Sequence, residues 1–308
     1  MGNLGGGAPR VVAAGECMLE LSRQHGSWQL GAAGDSFNTA LYLRRLGADV
    51  RYFTALGDDP FSQEMLQSWQ VEGLDTSLVL RDPQRLPGLY AIRTDEAGER
   101  SFYYWREQSA VRRLFALGGI DAALAAAADC DLLYLTGITL SLFEASERRQ
   151  WRALASEVRR RGGAVAFDPN YRPRGWSGVD EARDAMQMIA PEVSYWLTTD
   201  GDEKALYGSA DAAAIVARWQ GAGVQEVIVK QGARGATVNV DASVVGVPVD
   251  GPVNVVDSTA AGDSFNAAYL MARMGGADVR EAASRGNRMA GAVIQVPGAI
   301  LPASQMPF

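Results

Sequence analysis

Between Asp257 and Asp263 the chain reads DSTAAGD, a run whose residue types and order suit anion chemistry. Ser258, Thr259, Ala260, Ala261 and Gly262 carry almost no side-chain bulk, so a ligand can approach the backbone closely. Val255 and Val256 precede the run as the end of a buried strand would. Phe265, Ala268 and Tyr269 follow it at helical spacing. A helix starting at this turn offers unpaired N–H groups and the positive end of its dipole to an anion. Asp263 sits at the same helix start. An acid is out of place in a simple phosphate cup, but it fits if it must act on whatever meets the phosphate. Asp263 is therefore the candidate general base. The N–H groups of Ala261, Gly262 and Asp263, in a turn opened by Ala260, are the candidate hole for developing negative charge.

Two other glycine-bearing segments carry the same promise: GAAGDSFN over Gly31–Asn38 and VKQGARG over Val229–Gly235. Any one of them alone could be a tight turn. All three adjoin a strand-like run or open a helix, and in a doubly wound sheet ligands collect where strands end. The nucleotide signatures GxxxxGK[ST] and GxGxxG are absent, which argues against a P-loop enzyme and a Rossmann dehydrogenase. Arg106 and Arg172 are the candidates for substrate choice. Two guanidinium groups match a carboxylate; the alternative is that both are surface ion-pair partners.

These residues must be positioned by the elements around them. Strand-like apolar runs fall at Val11–Gly15, Tyr52–Leu56, Leu132–Thr136, Ala164–Asp168, Tyr195–Thr198 and Val227–Lys230. Helical patterns lie between and after them, at Asp35–Leu46, Phe61–Val71, Ala145–Arg161, Glu181–Ile189, Ala212–Gln220, Ala261–Met274 and Ala277–Gln295. Strands alternating with helices predict an α/β fold: a doubly wound, mostly parallel sheet with helices on both faces. Glu16–Ser22 alternates, and Gly88–Thr94 and Arg100–Trp105 read as a hairpin turning at Asp95–Gly98. Tyr90, Phe102, Tyr103, Tyr104 and Trp105 cluster there. A small β-strand lid is expected from about 16–31 and 88–106, on one α/β domain spanning 11–308 behind a flexible tail at 1–10.

Composition narrows the function. The 308 residues are 47% hydrophobic and 21% charged, an ordinary globular balance. A net charge of −7 gives no basic footprint for nucleic acid. The single histidine, His25, excludes a histidine triad and a multi-histidine zinc site and reads as a loop residue. Cys17 and Cys130 have apolar neighbours and read as buried thiols. No run is long and apolar enough to span a membrane, and the glycine-rich start lacks a secretory core, so a cytoplasmic protein is expected.

On GAAGDSFNTALYLRRLG (Gly31–Gly47) and DSTAAGD (Asp257–Asp263), the chain resembles the PfkB, or ribokinase-like, family of sugar kinases. The second segment has Ala260 where the family pattern has glycine, although an alanine does not adopt a positive φ freely. GECMLELS, YWREQSA, FDPNYRPRGW and TTDGDEKALYG are most similar to the family's 2-keto-3-deoxygluconate kinases. The resemblance implies ATP-dependent phosphorylation of a sugar acid at its primary hydroxyl, with Mg²⁺ bridging the phosphates. It implies Gly34, Asn38, Tyr90, Tyr104, Arg106 and Arg172 as sugar-acid contacts and Lys230, Gly232, Gly235 and Asn287 as nucleotide contacts. Glu203 would face the metal through water, and Asp257 and Thr259 resemble positions near a monovalent-cation site. A neutral-sugar kinase, or a sugar-binding sensor without turnover, is the alternative. Aromatic lid faces point to a homodimer or higher homo-oligomer.

Overall fold

The computed structural model describes residues 7–24, 27–94, 100–240 and 243–308. Nine strands form one sheet in the order β13-β12-β11-β10-β9-β8-β1-β4-β5. They are β1 (Arg10–Ala14), β4 (Asp49–Gly57), β5 (Val79–Asp82), β8 (Leu132–Thr136), β9 (Ala164–Asp168), β10 (Tyr195–Thr199), β11 (Glu226–Lys230), β12 (Ala236–Val240) and β13 (Ser243–Val247). All neighbouring pairs from β11 to β5 are parallel, and only the two strands at the β13 edge run antiparallel. From β1 the chain winds outward to β4 and β5, then returns past β1 to build β8 through β11. The winding direction therefore reverses between β1 and β8, and a crevice opens at the carboxyl ends of those strands.

The strand sequences are nearly all apolar because both faces are covered. In β1, Val11 and Ala13 join one core and Val12 and Ala14 the other. Helices α1 (Asp35–Arg45), α2 (Pro60–Val71), α9 (Ala261–Met274) and α10 (Val279–Val293) cover the first face, with Trp69, Tyr269 and Met289 buried against it. Helices α3 (Ile120–Ala127), α5 (Ala145–Arg160), α6 (Val179–Ile189) and α8 (Ala212–Gly221) cover the second, through Trp151, Met186 and Trp219. Short helices α4 (Gly137–Ser141) and α7 (Asp200–Tyr207) begin immediately after β8 and β10.

A second sheet, in the order β3-β2-β6-β7, is formed by β2 (Met18–Gln24), β3 (Ser27–Ala33), β6 (Leu89–Thr94) and β7 (Arg100–Trp105). The small β sheet expected from the alternating segments is present. The hairpin turn at Asp95–Gly98 and His25 lie outside the described residues. Arg10, expected in the tail, instead opens β1 and pairs with Asp129 and Asp131. The strand expected before the DSTAAGD turn is not there. Val255 and Val256 lie outside any strand and are 61% and 48% exposed.

Candidate active site

A cleft of about 1520 Å³ opens where the parallel strands end, between the main sheet and the small one. Its floor is made by strand-end residues and by the turn that starts α9. Asp168 ends β9, Thr199 ends β10, Lys230 ends β11, and all three line it with Ser258 to Asp263. The lid contributes Tyr90 from β6 and Ser101 to Trp105 from β7. Gly34, Asp35 and Asn38 reach it from the start of α1.

The α9 turn has the expected shape with one cost in strain. Ala260 is the N-cap and holds φ 59°, the left-handed region that an alanine rarely adopts. A left-handed residue here lets the chain turn sharply into the helix, so that the first N–H groups face the cleft. Ala261 N–H donates to the Ser258 carbonyl at 3.3 Å. Of the three N–H groups expected to form the anion hole, those of Gly262 and Asp263 have no backbone acceptor among the described residues. The ammonium of Lys230 lies over this turn, 3.4 Å from where a Cβ on Gly262 would be. A larger residue at position 262 would crowd it.

Asp263 is buried in the first turn of α9. One carboxylate oxygen accepts from Asn38 Nδ2 at 2.8 Å. Burial, then the nearby charge of Asp35, pushes its carboxyl up to about 8; the Asn38 bond opposes this, Asp168 adds to it and Lys230 opposes it. Beneath it, Lys230 Nζ donates to Asp168 at 2.7 Å and to Asn266 Oδ1 at 3.0 Å, while Asn266 Nδ2 donates to Asp168 at 2.6 Å and Tyr134 at 3.0 Å. Asp35 accepts from Asn170 Nδ2 at 3.0 Å. Its carboxyl is also raised, chiefly by burial. Asn170, at φ 34°, is the other non-glycine residue with positive φ among the described residues, and its backbone N–H is held by Asp168 at 3.0 Å. Backbone strain thus gathers at the two loops that border the reacting position.

The sugar-side residues named from sequence line the same cleft, but their surroundings differ from one another. Gly34 is extended, and a Cβ there would collide with the Glu16 carbonyl, so close approach explains the glycine. Tyr90 is already buried at 8% exposure, with its hydroxyl donating to Glu20, whereas Tyr104 is 41% exposed. Their rings lie 5.8 Å apart. Arg106 forms an ion pair with the buried Glu16 at 2.5 Å. Arg172 is largely exposed and stands 4.0 Å from Asp202.

One assignment needs correcting, and three others fall outside the cleft. Glu203 does not face the cleft: it is fully buried and accepts from Thr198 at 3.1 Å, Trp219 Nε1 at 2.7 Å and Arg218 at 3.0 Å. Its neighbour Asp202 lines the cleft instead, with its backbone N–H bonded to the Thr199 hydroxyl at 2.9 Å. Gly232 and Gly235 do not line the cleft. They form the β11–β12 turn, where Gly235 has φ 89° and any Cβ would strike the Val247 carbonyl. Asn287 does not line it either, because its side chain is buried and donates to the Val247 and Pro248 carbonyls at 3.0 and 3.2 Å.

Sequence reasoning missed Glu16, Asp35, Arg112, Asp168, Asn170, Asp202 and Asn266. Asp168 was within reach of the strand-end rule, and Asn266 lies one helical turn from Asp263. Among the described residues no three His, Cys, Asp or Glu side chains gather into a metal cage. Asp168 and Asp202 nevertheless line the floor together. Burial, then Asp168, raises the Asp202 carboxyl. That donor set fits a hard cation that keeps water and takes most of its ligands from a bound phosphate.

The profile of the pfkB family of carbohydrate kinases matches residues 9–306. The 2-dehydro-3-deoxygluconokinase of Escherichia coli (strain K12) is 41% identical over 308 residues, covering 97% of this chain and 99% of the relative. That of Dickeya dadantii (strain 3937) is 42% identical, covering 96% and 98%. The crystal structure of a PfkB protein from Polaromonas sp. JS666 superposes with a TM-score of 0.84 at 27% identity, over 94% of this chain and 96% of that one. With its parallel sheet, its small β sheet and its Asp263 turn, the chain belongs to the pfkB family of carbohydrate kinases.

Proposed function

We propose that this protein transfers the γ-phosphoryl group of ATP to the primary hydroxyl of 2-keto-3-deoxygluconate, giving 2-keto-3-deoxy-6-phosphogluconate and ADP. The observation that carries this reading is one helical turn that holds both a buried acid and unpaired N–H groups. The sugar hydroxyl donates to the Asp263 oxygen that Asn38 does not hold. Its oxygen attacks the γ-phosphorus, the bond from that phosphorus to the β-bridging oxygen breaks, and the hydroxyl proton passes to Asp263. The Gly262 and Asp263 N–H groups and Lys230 face the charge that builds on the transferring group. A base raised to about 8 is well placed to take a proton near neutral pH once a cation enters beside it. Mg²⁺, when bound, supplies charge neutralisation on the phosphates. Asp202 and Asp168 would hold its water shell.

Gly34, Asn38, Tyr90 and Tyr104 shape the sugar end, and Arg106 and Arg172 take the carboxylate. Lys230, with Thr199, Ser258 and Thr259 on the cleft floor, would meet the phosphates, and Gly232, Gly235 and Asn287 stay the candidates for the rest of the nucleotide. A monovalent cation would sit by the loop of Asp257, whose carboxylate accepts from Thr259 at 2.7 Å and from Gly298 N–H at 2.7 Å. Trp28, Leu30, Tyr103 and Trp105 leave apolar surface on the small sheet, 46% to 61% exposed, which fits association of two copies. Both cysteines are free and buried, and no described helix is long and apolar enough to cross a membrane; we place the protein in the cytoplasm. The chain from residue 11 onward acts as one domain under its lid.

ADP release measured with 2-keto-3-deoxygluconate, fructose and ribose tests the reading. The expected result is a kcat/KM for the acid at least tenfold above either neutral sugar. Preference for a neutral sugar would replace this reading with a neutral-sugar kinase. Sugar binding without ADP release would make the protein a sensor.

A further inference from the structure

Four guanidinium groups line the cleft: those of Arg106 and Arg172 already have a carboxylate, that of Arg174 is exposed to solvent, and that of Arg112 is half-buried. Arg106 has Glu16 at 2.5 Å, and Arg172 has Asp202 at 4.0 Å. Arg112 has none within ion-pair distance among the described residues. Its Nε donates to the Arg106 carbonyl at 3.2 Å and its Nη1 to the Leu142 carbonyl at 3.2 Å, so both acceptors are neutral backbone oxygens. Its Nη2 meets no acceptor among the described residues. The side chain is half-buried and lines the cleft beside Glu16 and Arg106.

The position is built rather than incidental. Ser109 N–H bonds to the Arg106 carbonyl at 3.1 Å and Ala110 N–H to the Leu86 carbonyl at 2.9 Å, which turns the chain so that Arg112 folds back over Arg106. The charged groups that act on Arg112 are Arg106 and Arg85, which are like it, and Glu16 and Glu107, which oppose it. Burial and Arg106 both disfavour the charge on Arg112. A half-buried cation next to another cation is held at a disadvantage until an anion joins it.

We propose that Arg112 binds the carboxylate of the substrate alongside Arg106 and is the residue that selects a sugar acid over the matching neutral sugar. This deepens the sugar-acid reading above and rests on it. Arg106 alone cannot make the selection, because Glu16 already balances its charge. A substrate carboxylate entering here gives Arg112 an opposite charge. A hydroxymethyl group in its place leaves Arg112 as it is in the empty cleft.

The test compares 2-keto-3-deoxygluconate with 3-deoxyfructose, which has a hydroxymethyl group where the acid has its carboxylate. A charge-assisted hydrogen bond corresponds to about 10- to 100-fold in affinity. Arg112→Gln should raise KM for the acid by about that factor, with kcat within about threefold and the kinetics on 3-deoxyfructose nearly unchanged. Calorimetric titration of the acid without ATP should show the same loss in affinity. Arg112→Lys keeps the charge but not the planar fork, so it should recover part of the loss. It also serves as the probe if the glutamine variant, which loses two backbone bonds, melts early. Equal losses on both substrates in either folded variant, or no loss on the acid, would overturn the role of Arg112. Failure of the wild-type protein to prefer the acid over 3-deoxyfructose would instead overturn the sugar-acid reading and this inference with it.

Discussion

Replacing Asp263 with asparagine should separate catalysis from stability in opposite directions. The substitution keeps the shape and the acceptor for Asn38 Nδ2, which now bonds at 2.8 Å, so the turn should stay in place. It removes the base. Loss of a general base typically lowers turnover by about 10²–10⁴-fold. The same change also removes a carboxyl that the fold holds at about 8, next to Asp35 and Asp168. In the unfolded chain that carboxyl returns to the ordinary value of 3.8. Between those two values the folded state binds the proton that the unfolded state has lost. Stability therefore falls as pH rises through this window, and above it the wild-type protein carries the full penalty. Each unit of difference is about 1.4 kcal/mol, which sets a ceiling of roughly 6 kcal/mol. Relaxation of the site would reduce this to about 1–3 kcal/mol.

The variant should thus melt at nearly the wild-type temperature at pH 5 and above it by several degrees at pH 9. ADP release gives turnover, thermal melts across pH 5–9 give stability, and ATP titration shows whether the binding site survives. The wild-type kcat/KM should rise with pH up to about 8, as Asp263 of the free enzyme ionises. A folded variant with kcat within tenfold of wild type would refute the base. A stability difference that does not change with pH would refute the buried, charge-crowded environment even if the base were right.

Ala260→Gly should relieve the left-handed strain at φ 59° and raise stability by up to about 1 kcal/mol, seen as a small upward shift in Tm with kcat retained. Glu203→Gln should destabilise by about 3–5 kcal/mol, because Arg218 loses its buried partner, yet leave the Mg²⁺ concentration for half-maximal rate unchanged in the folded fraction. Asp202→Asn should do the reverse, shifting the Mg²⁺ dependence by about tenfold with little effect on Tm. Trp105, 61% exposed on the lid edge, should become less accessible to acrylamide quenching when sugar binds, while the buried Tyr90 should change little; unchanged quenching would count against lid closure.

The main elements were legible because each is covered by a strong local signal. The parallel strands read as apolar runs since both faces are buried, and β8 and β9 begin and end where the pattern places them. The edge strands β12 and β13 escaped notice because one lies at the rim and shows no such run: Ser243 to Val247 is mostly exposed or half-buried. Asp263 was legible because its chemistry is local, an acid inside the turn that would bind an anion. Residues that act across the fold were not. Nothing in the sequence near Lys230 says that its ammonium meets Asp168 and Asn266, 62 and 36 residues away. Nor does the sequence show that Asn287 and Gly235 meet the Val247 and Pro248 backbone, reached only when β13 folds beside α10.

Asp202 and Glu203 show the physical limit most clearly. They are adjacent acids in the first turn of α7, and composition cannot rank them. Successive residues on a helix point about 100° apart. With Thr199 as the N-cap, its hydroxyl takes the Asp202 N–H and fixes the phase of the whole turn. That phase puts Asp202 over the cleft and turns Glu203 inward, against Trp219 and Arg218. A cap shifted by one residue would bring Glu203 over the cleft in place of Asp202. The cation-facing acid is therefore set less by which residue is acidic than by the threonine that starts the helix. Thr199→Ala should weaken both arrangements together, loosening the Asp202 side chain at the cleft and the Glu203 ion pair beneath it.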